Sequence, residues 1–279
     1  MAASIQIEDY LLAMLDETAQ AGYDLRRGSA GYAPIVGTFG ALAVPAIIVL
    51  FTVPKPLVAH RVAFITLAAG LLIVGMIGSL IGSIGLAAIG AEREATPNLP
   101  PAIMYLAVPV VVSIVAILGA FEVLSAIYLP ESTTLFAVIA GAGGLSCVFF
   151  TAFAIGDSWK AGPTDPLIRK DWCPKQWVAV RTPEAAYKWQ AIVSVVSSVP
   201  IFLGMALRLF DIHFTPTLAA ANWLVGSGLV LAMIGTYLGN TRTAHPYEGE
   251  AEKGLQKREA FGTTLTLSFY ILALLIFLP

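Results

Sequence analysis

The sequence predicts an all-α fold: a polytopic membrane protein with a bundle of seven transmembrane helices, preceded by an amphipathic cytoplasmic helix. Three observations predict it. Seven apolar runs are each long enough to cross about 30 Å of hydrocarbon, which takes roughly 20 residues in a helix. Hydrophobic residues make up 57% of the chain and charged residues 12%, with a mean hydropathy of +0.80, far from the usage of a soluble domain. The lysines and arginines fall almost wholly on alternate connections between the runs. A β-barrel is excluded, because its strands would alternate apolar and polar residues, whereas these runs are continuously apolar.

Residues 1–32 form the first unit. Ile7, Leu11, Met14 or Leu15, Thr18 and Leu25 recur near helical spacing while Glu8, Asp9, Asp16, Glu17 and Asp24 take other positions. This reads as an amphipathic helix ending near Gly28. Helices that lie on anionic lipid carry Lys and Arg on the polar face. This one is acidic, so it is expected to pack on the protein's own loops or on a partner.

Residues 33–279 form the membrane domain, with spans expected at 33–53, 62–90, 101–129, 133–156, 189–207, 217–238 and 260–278. The second and third exceed what a perpendicular crossing requires, so tilt or protruding ends are expected. Only Pro130, Glu131 and Ser132 separate the third run from the fourth, which makes that pair a tight antiparallel hairpin. Thirteen of the 16 Lys and Arg residues flank one side of the bundle, leaving Lys55, Arg61 and Arg208 on the other. By the positive-inside rule the N-terminus is cytoplasmic and the C-terminal Pro279 outside, in a plasma (inner) membrane. The first 30 residues lack the basic start and short apolar core of a cleavable signal. Trp159, Trp172, Trp177 and Trp189 cluster near the inner interface, as an aromatic belt or a docking surface.

Four glycines of the second run, Gly75, Gly78, Gly82 and Gly85, share one helix face, with Ser79 and Ser83 beside it. Such a stripe permits close helix contact, or leaves room for a solute. Gly141 to Gly144 in the fourth run is expected to receive it. Pro45, Pro109 and Pro200 interrupt the first, third and fifth runs and open kinks there.

Glu122 is the one ionisable residue well inside a run, and a charge there is costly enough to need a partner, a protein interior or a water-filled path. Gly119 and Ser125 lie on the same side of its helix. Arg208 and Asn222 are expected at similar depth. Glu122 is thus half of a helix-joining ion pair with Arg208, a proton- or cation-binding carboxylate on a pathway that includes Ser125 and Asn222, or a neutral side chain snorkelling to the outer interface.

Other chemistries find no support in the pattern. His60, His213 and His245 all fall in or beside loops, so no helix-borne pair can hold a haem, and the last span has no lysine for a retinal Schiff base. No HExxH, CxxC, phosphate-binding glycine loop or GxSxG occurs. No cofactor or metal is therefore expected. Asp157 with Lys160, or His245 with Glu248, match no catalytic spacing, and Cys147 and Cys173 fall too far apart in environment for a structural disulfide. The net charge of −2 argues for no particular partner, and none is expected among nucleic acids. The expected partners are the lipid bilayer and either other membrane subunits or further copies of the chain. The function read from the sequence is a transporter or channel component for a small solute or ion. The alternative is a non-catalytic structural subunit of a larger membrane complex.

Overall fold

An apolar chain in lipid has to satisfy every backbone N–H and C=O within its own segment, which leaves the helix as the form each of these runs must take. The computed structural model describes residues 25–52, 59–91, 99–160, 183–212, 214, 217–244 and 257–278. They build seven helices: α1 (Leu25–Thr52), α2 (Ala59–Gly90), α3 (Leu99–Tyr128), α4 (Thr133–Lys160), α5 (Pro183–Leu209), α6 (Leu218–Ala244) and α7 (Lys257–Phe277). A single 3-10 turn, Pro130–Ser132, joins α3 to α4 as the hairpin expected there. All seven helices are long and apolar enough to cross a membrane, so the chain is a multi-pass membrane protein. Most of the amphipathic helix expected over residues 1–32 falls on residues 1–24, outside the described residues. Gly28, its expected end, lies inside α1, which runs unbroken from Leu25 into the first span.

α3 is the central post. Of its most apolar window 72% is buried, against 17% for α1, and it touches α1, α2, α4, α6 and α7. On one side of it stand α2 and α6, with α1 behind α2; on the other stand α4 and α7, with α5 packed on both. The main core joins these groups through Leu71 and Leu72 of α2, Val112, Val115 and Ala116 of α3, and Leu267, Ile271 and Leu274 of α7. Although α5 and α6 follow one another in sequence, they occupy opposite sides of α3, and the short connection between them crosses the end of α7. There the Phe214 N–H donates to the Ile276 carbonyl at 2.9 Å, and the Phe214 and Phe277 rings stack at 5.5 Å.

Lipid tails give apolar helices no hydrophobic reason to associate, so close backbone contact has to do it. All four glycines of the α2 stripe face α3. A Cβ at Gly78 would stand 2.7 Å from the Pro109 carbonyl oxygen, one at Gly85 2.6 Å from a Leu106 methyl, and those at Gly75 and Gly82 would run into Ile117 and Val110. The serines beside the stripe bind α2 to its neighbours. The Ser113 hydroxyl donates to the Gly75 carbonyl at 2.5 Å, so in its bond with Ser79 it can only accept; Ser83 donates to the Ala33 carbonyl of α1 at 2.8 Å. Gly37 and Gly40 of α1 bring that helix directly over Ser83 and Ser79.

The small-residue patch of α4 does not receive α2, as the sequence had suggested. Its glycines each admit a bulky side chain from elsewhere: Gly141 faces Met205 of α5, Gly143 faces Leu118 of α3 and Gly144 faces Ile271 of α7. The reason is that α3 stands between α2 and α4. Pro45, Pro109 and Pro200 lie within α1, α3 and α5, which continue through them.

Candidate functional site

The odd-numbered helices all run toward one end of the bundle, and the candidate site sits where α3, α5 and α7 finish. Glu122 lies on α3 about two turns before Tyr128, Arg208 in the last turn of α5, and Leu278 immediately beyond α7. Arg208 Nη2 donates to Glu122 Oε1 at 2.6 Å, and Arg208 Nη1 donates to the Leu278 carbonyl at 3.1 Å. Both charged side chains are sealed, with relative exposures of 0% for Glu122 and 4% for Arg208. One guanidinium thus joins three helices.

Local sequence explains how the groups arrive there. Gly119, one turn before Glu122, leaves room for α7: a Cβ would stand 2.9 Å from a Leu278 methyl. Ser125 is buried beside them, but its hydroxyl donates to the backbone carbonyl of Glu122 at 2.7 Å and not to the carboxylate. α5 ends in a left-handed cap: Asp211 has φ 58°, its N–H donates to the Arg208 carbonyl at 3.0 Å, and the Ile212 N–H donates to Leu207 at 2.8 Å. That cap turns the chain toward the end of α7. The Ile276 and Leu278 carbonyls, near a helix end that leaves such groups without internal partners, are satisfied by Phe214 and Arg208.

Glu122 Oε2 is buried and accepts no hydrogen bond. An unpaired oxygen on a buried carboxylate costs at least about 1–3 kcal/mol, so the second half of this carboxylate is held in place at an energetic loss. One turn away on the same helix, Gly119 faces Leu71 and Leu274. Chemically, the arrangement offers one committed oxygen and one uncommitted acceptor in a dry, apolar setting.

The expected residues do not all converge. Glu122, Arg208 and Ser125 come together, whereas Asn222 lies on an exposed face of α6. Gly75, Gly78, Gly82 and Gly85 are taken up by the contact with α3. Side chains of Asp157, Lys160, His60, His213, His245 and Glu248 lie outside the described residues, as do Trp172, Trp177 and Cys173 and the side chain of Trp159. Trp189 meets Phe261 edge-on, with the Lys257 ammonium 3.9 Å from its ring centre.

A second polar group, not anticipated from the sequence, occupies the opposite end of the bundle. Tyr105 of α3 donates to Glu259 Oε1 at 3.2 Å, and Arg242 of α6 pairs with the same carboxylate oxygen. The sequence had put Arg242 and Glu259 in a connection; instead they stand in the last turn of α6 and the first turn of α7. An acid opening a helix and a base closing one both suit the helix dipole, and that is the signal that could have revealed them.

Compared with protein-family models, curated proteins and solved structures, the chain matches none of them.

Proposed function

We propose that this chain is a transporter or channel component for a small solute or ion, and that Glu122 is its intramembrane ion-binding group. The single observation that carries this reading is the buried, unpartnered Oε2 of Glu122. A pair evolved only to join helices gains most when both carboxylate oxygens accept, as in a forked Arg–carboxylate contact. Here Arg208 spends its second arm on the Leu278 carbonyl, and the oxygen left over is an acceptor for a proton or a cation. The prolines of α3 and α5 support mobility of two of the helices that end around it. In this reading the chain sits in the plasma membrane with its N-terminus cytoplasmic and Glu122 in the outer half, alone as a homo-oligomer or beside other membrane subunits.

Glu122→Gln tests it. Glutamine keeps an oxygen for Arg208 and the shape of the side chain while removing the negative charge. The expected outcome in proteoliposomes is loss of ion-driven solute flux by the full chain with an unchanged elution profile, while the melting temperature falls because buried Arg208 loses its counter-charge. A second reading, a non-catalytic subunit of a membrane assembly, draws on Arg208 bridging Glu122 to Leu278. It gives a different pattern: the full chain would carry no flux alone, with or without Glu122→Gln, whose effect would be confined to the melting temperature.

A further inference from the structure

Among the described residues a cleft of about 150 Å³ opens between α3, α6 and α7. Tyr105 and Val108 form its back wall, Ile234 and Leu238 one side, Gly262 and Thr266 the other. It exists because α6 and α7 both lean on α3 and scarcely touch each other. Gly235 holds α6 tightly to α3: a Cβ there would stand 2.7 Å from the Tyr105 carbonyl oxygen, the group to which Pro109 has no N–H to donate. Gly262 does the opposite on α7. No atom lies within 4 Å of where its Cβ would be, so the missing side chain is itself part of the gap.

Ile234, Gly262 and Thr266 are exposed, so the cleft opens sideways from between helices that lie in lipid. Its lining is largely apolar. One helical turn toward the Glu259 end the polar group begins: Arg242 follows Leu238 by four residues and Glu259 precedes Thr263 by four, which keeps each on the cleft's side of its helix. An arginine has five N–H donors in a planar fork. Arg242 gives its Nη2 to Glu259 and also meets Tyr105, yet it is 31% exposed, and a guanidinium edge facing outward has the geometry that phosphate oxygens take in pairs.

We propose that this cleft binds one membrane phospholipid, with an acyl chain between α6 and α7 and its phosphate on Arg242. The volume decides against a partner helix as occupant. A cavity of roughly this size accommodates a ring the size of benzene, which matches a run of methylenes, whereas a helix is about 10 Å across. The site is independent of Glu122: Tyr105 and Glu122 are seventeen residues apart on α3, or about 25 Å along its axis.

The full chain would be reconstituted in nanodiscs of phosphatidylethanolamine and phosphatidylglycerol. A small fraction of the phosphatidylethanolamine would carry a diazirine on one acyl chain, and labelled peptides would be mapped after illumination. Labelling is expected to concentrate on α6 around Ile234 and on α7 around Thr266. Gly262→Leu, whose Cβ meets no atom within 4 Å, should occupy the cleft and lower that labelling about tenfold, the scale expected when several buried methylenes are displaced. Arg242→Gln should lower it as well. Gly31→Leu, at an equally open glycine of α1, should leave the pattern unchanged. Labelling spread evenly over all exposed helices, labelling absent from α6 and α7, or a pattern indifferent to Gly262→Leu would each overturn the proposal.

Discussion

A guanidinium that reaches both a carboxylate and a backbone carbonyl inside lipid is useful only while all three groups stay in register. Arg208 does this between Glu122 and Leu278, and the costs of disturbing it are asymmetric. Removing one partner of a buried pair costs about 3–5 kcal/mol because it strands a charge, whereas replacing both by apolar groups can be nearly neutral. Exchanging the two therefore makes a discriminating experiment. Glu122→Arg or Arg208→Glu alone places like charges together and should sharply lower the melting temperature in detergent. The double exchange should restore part of the loss. Recovery should stop short by roughly 1–3 kcal/mol, since a glutamate at 208 cannot donate to the Leu278 carbonyl. If the double variant were no more stable than the singles, the pairing would carry no stability of its own.

Helices are the scale at which the sequence was most readable. Seven long apolar runs could only be helices in lipid, and each run falls on a helix long and apolar enough to cross a membrane. Helix ends were less readable, because apolarity marks the lipid and not the end of the hydrogen-bond ladder. α1 begins at Leu25 and carries Arg26 and Arg27 in its first turn, and α6 continues past Leu238 through Asn240, Thr241 and Arg242. The glycine face of α2 was visible in its spacing, but not its partner. What fixes the partner is the complementary relief of α3, where Leu106, Pro109, Val110 and Ser113 present the matching surface. The serine relay between these two helices makes a prediction that spacing alone would not. Ser113 both donates and accepts, whereas Ser79 only donates to it. Ser113→Ala should therefore destabilise the chain more than Ser79→Ala. Both effects should fall near the roughly 0.6–2 kcal/mol typical of interhelical hydrogen bonds in membranes. Equal effects on the unfolding midpoint would count against the direction assigned to the relay.

At the scale of the molecule, neighbours in sequence are not always neighbours in space, and this is what no local pattern disclosed. Short connections make α1 pair with α2 and α3 with α4, yet α5 and α6 part to opposite sides of α3. Of the candidate site, the sequence carried Glu122, since a lone carboxylate in an apolar run is conspicuous, and it pointed to Arg208. It could not show the Leu278 carbonyl, a backbone group without a side-chain signature, and it put Asn222 near a site from which α6 turns that residue away. The orientation of the whole bundle rests on charge bias and is open to direct measurement. In a background with Cys147→Ser and Cys173→Ser, Glu131→Cys should react with an impermeant maleimide on intact cells. Arg258→Cys should react only after the membrane is opened. The opposite result would invert the topology.

The crossing of the α5–α6 connection over the end of α7 has a consequence for biosynthesis. α7 leaves the ribosome after every helix that it completes, so Glu122, Arg208 and Phe214 all enter the membrane before the carbonyls of Ile276 and Leu278 exist. Through that interval the Glu122–Arg208 pair lacks the wall that α7 provides, and the groove between α3, α4 and α5 stands open to lipid or to a chaperone of insertion. Helices α1 to α4 can pack in the order in which they are made, but the site around Glu122 closes only when α7 arrives.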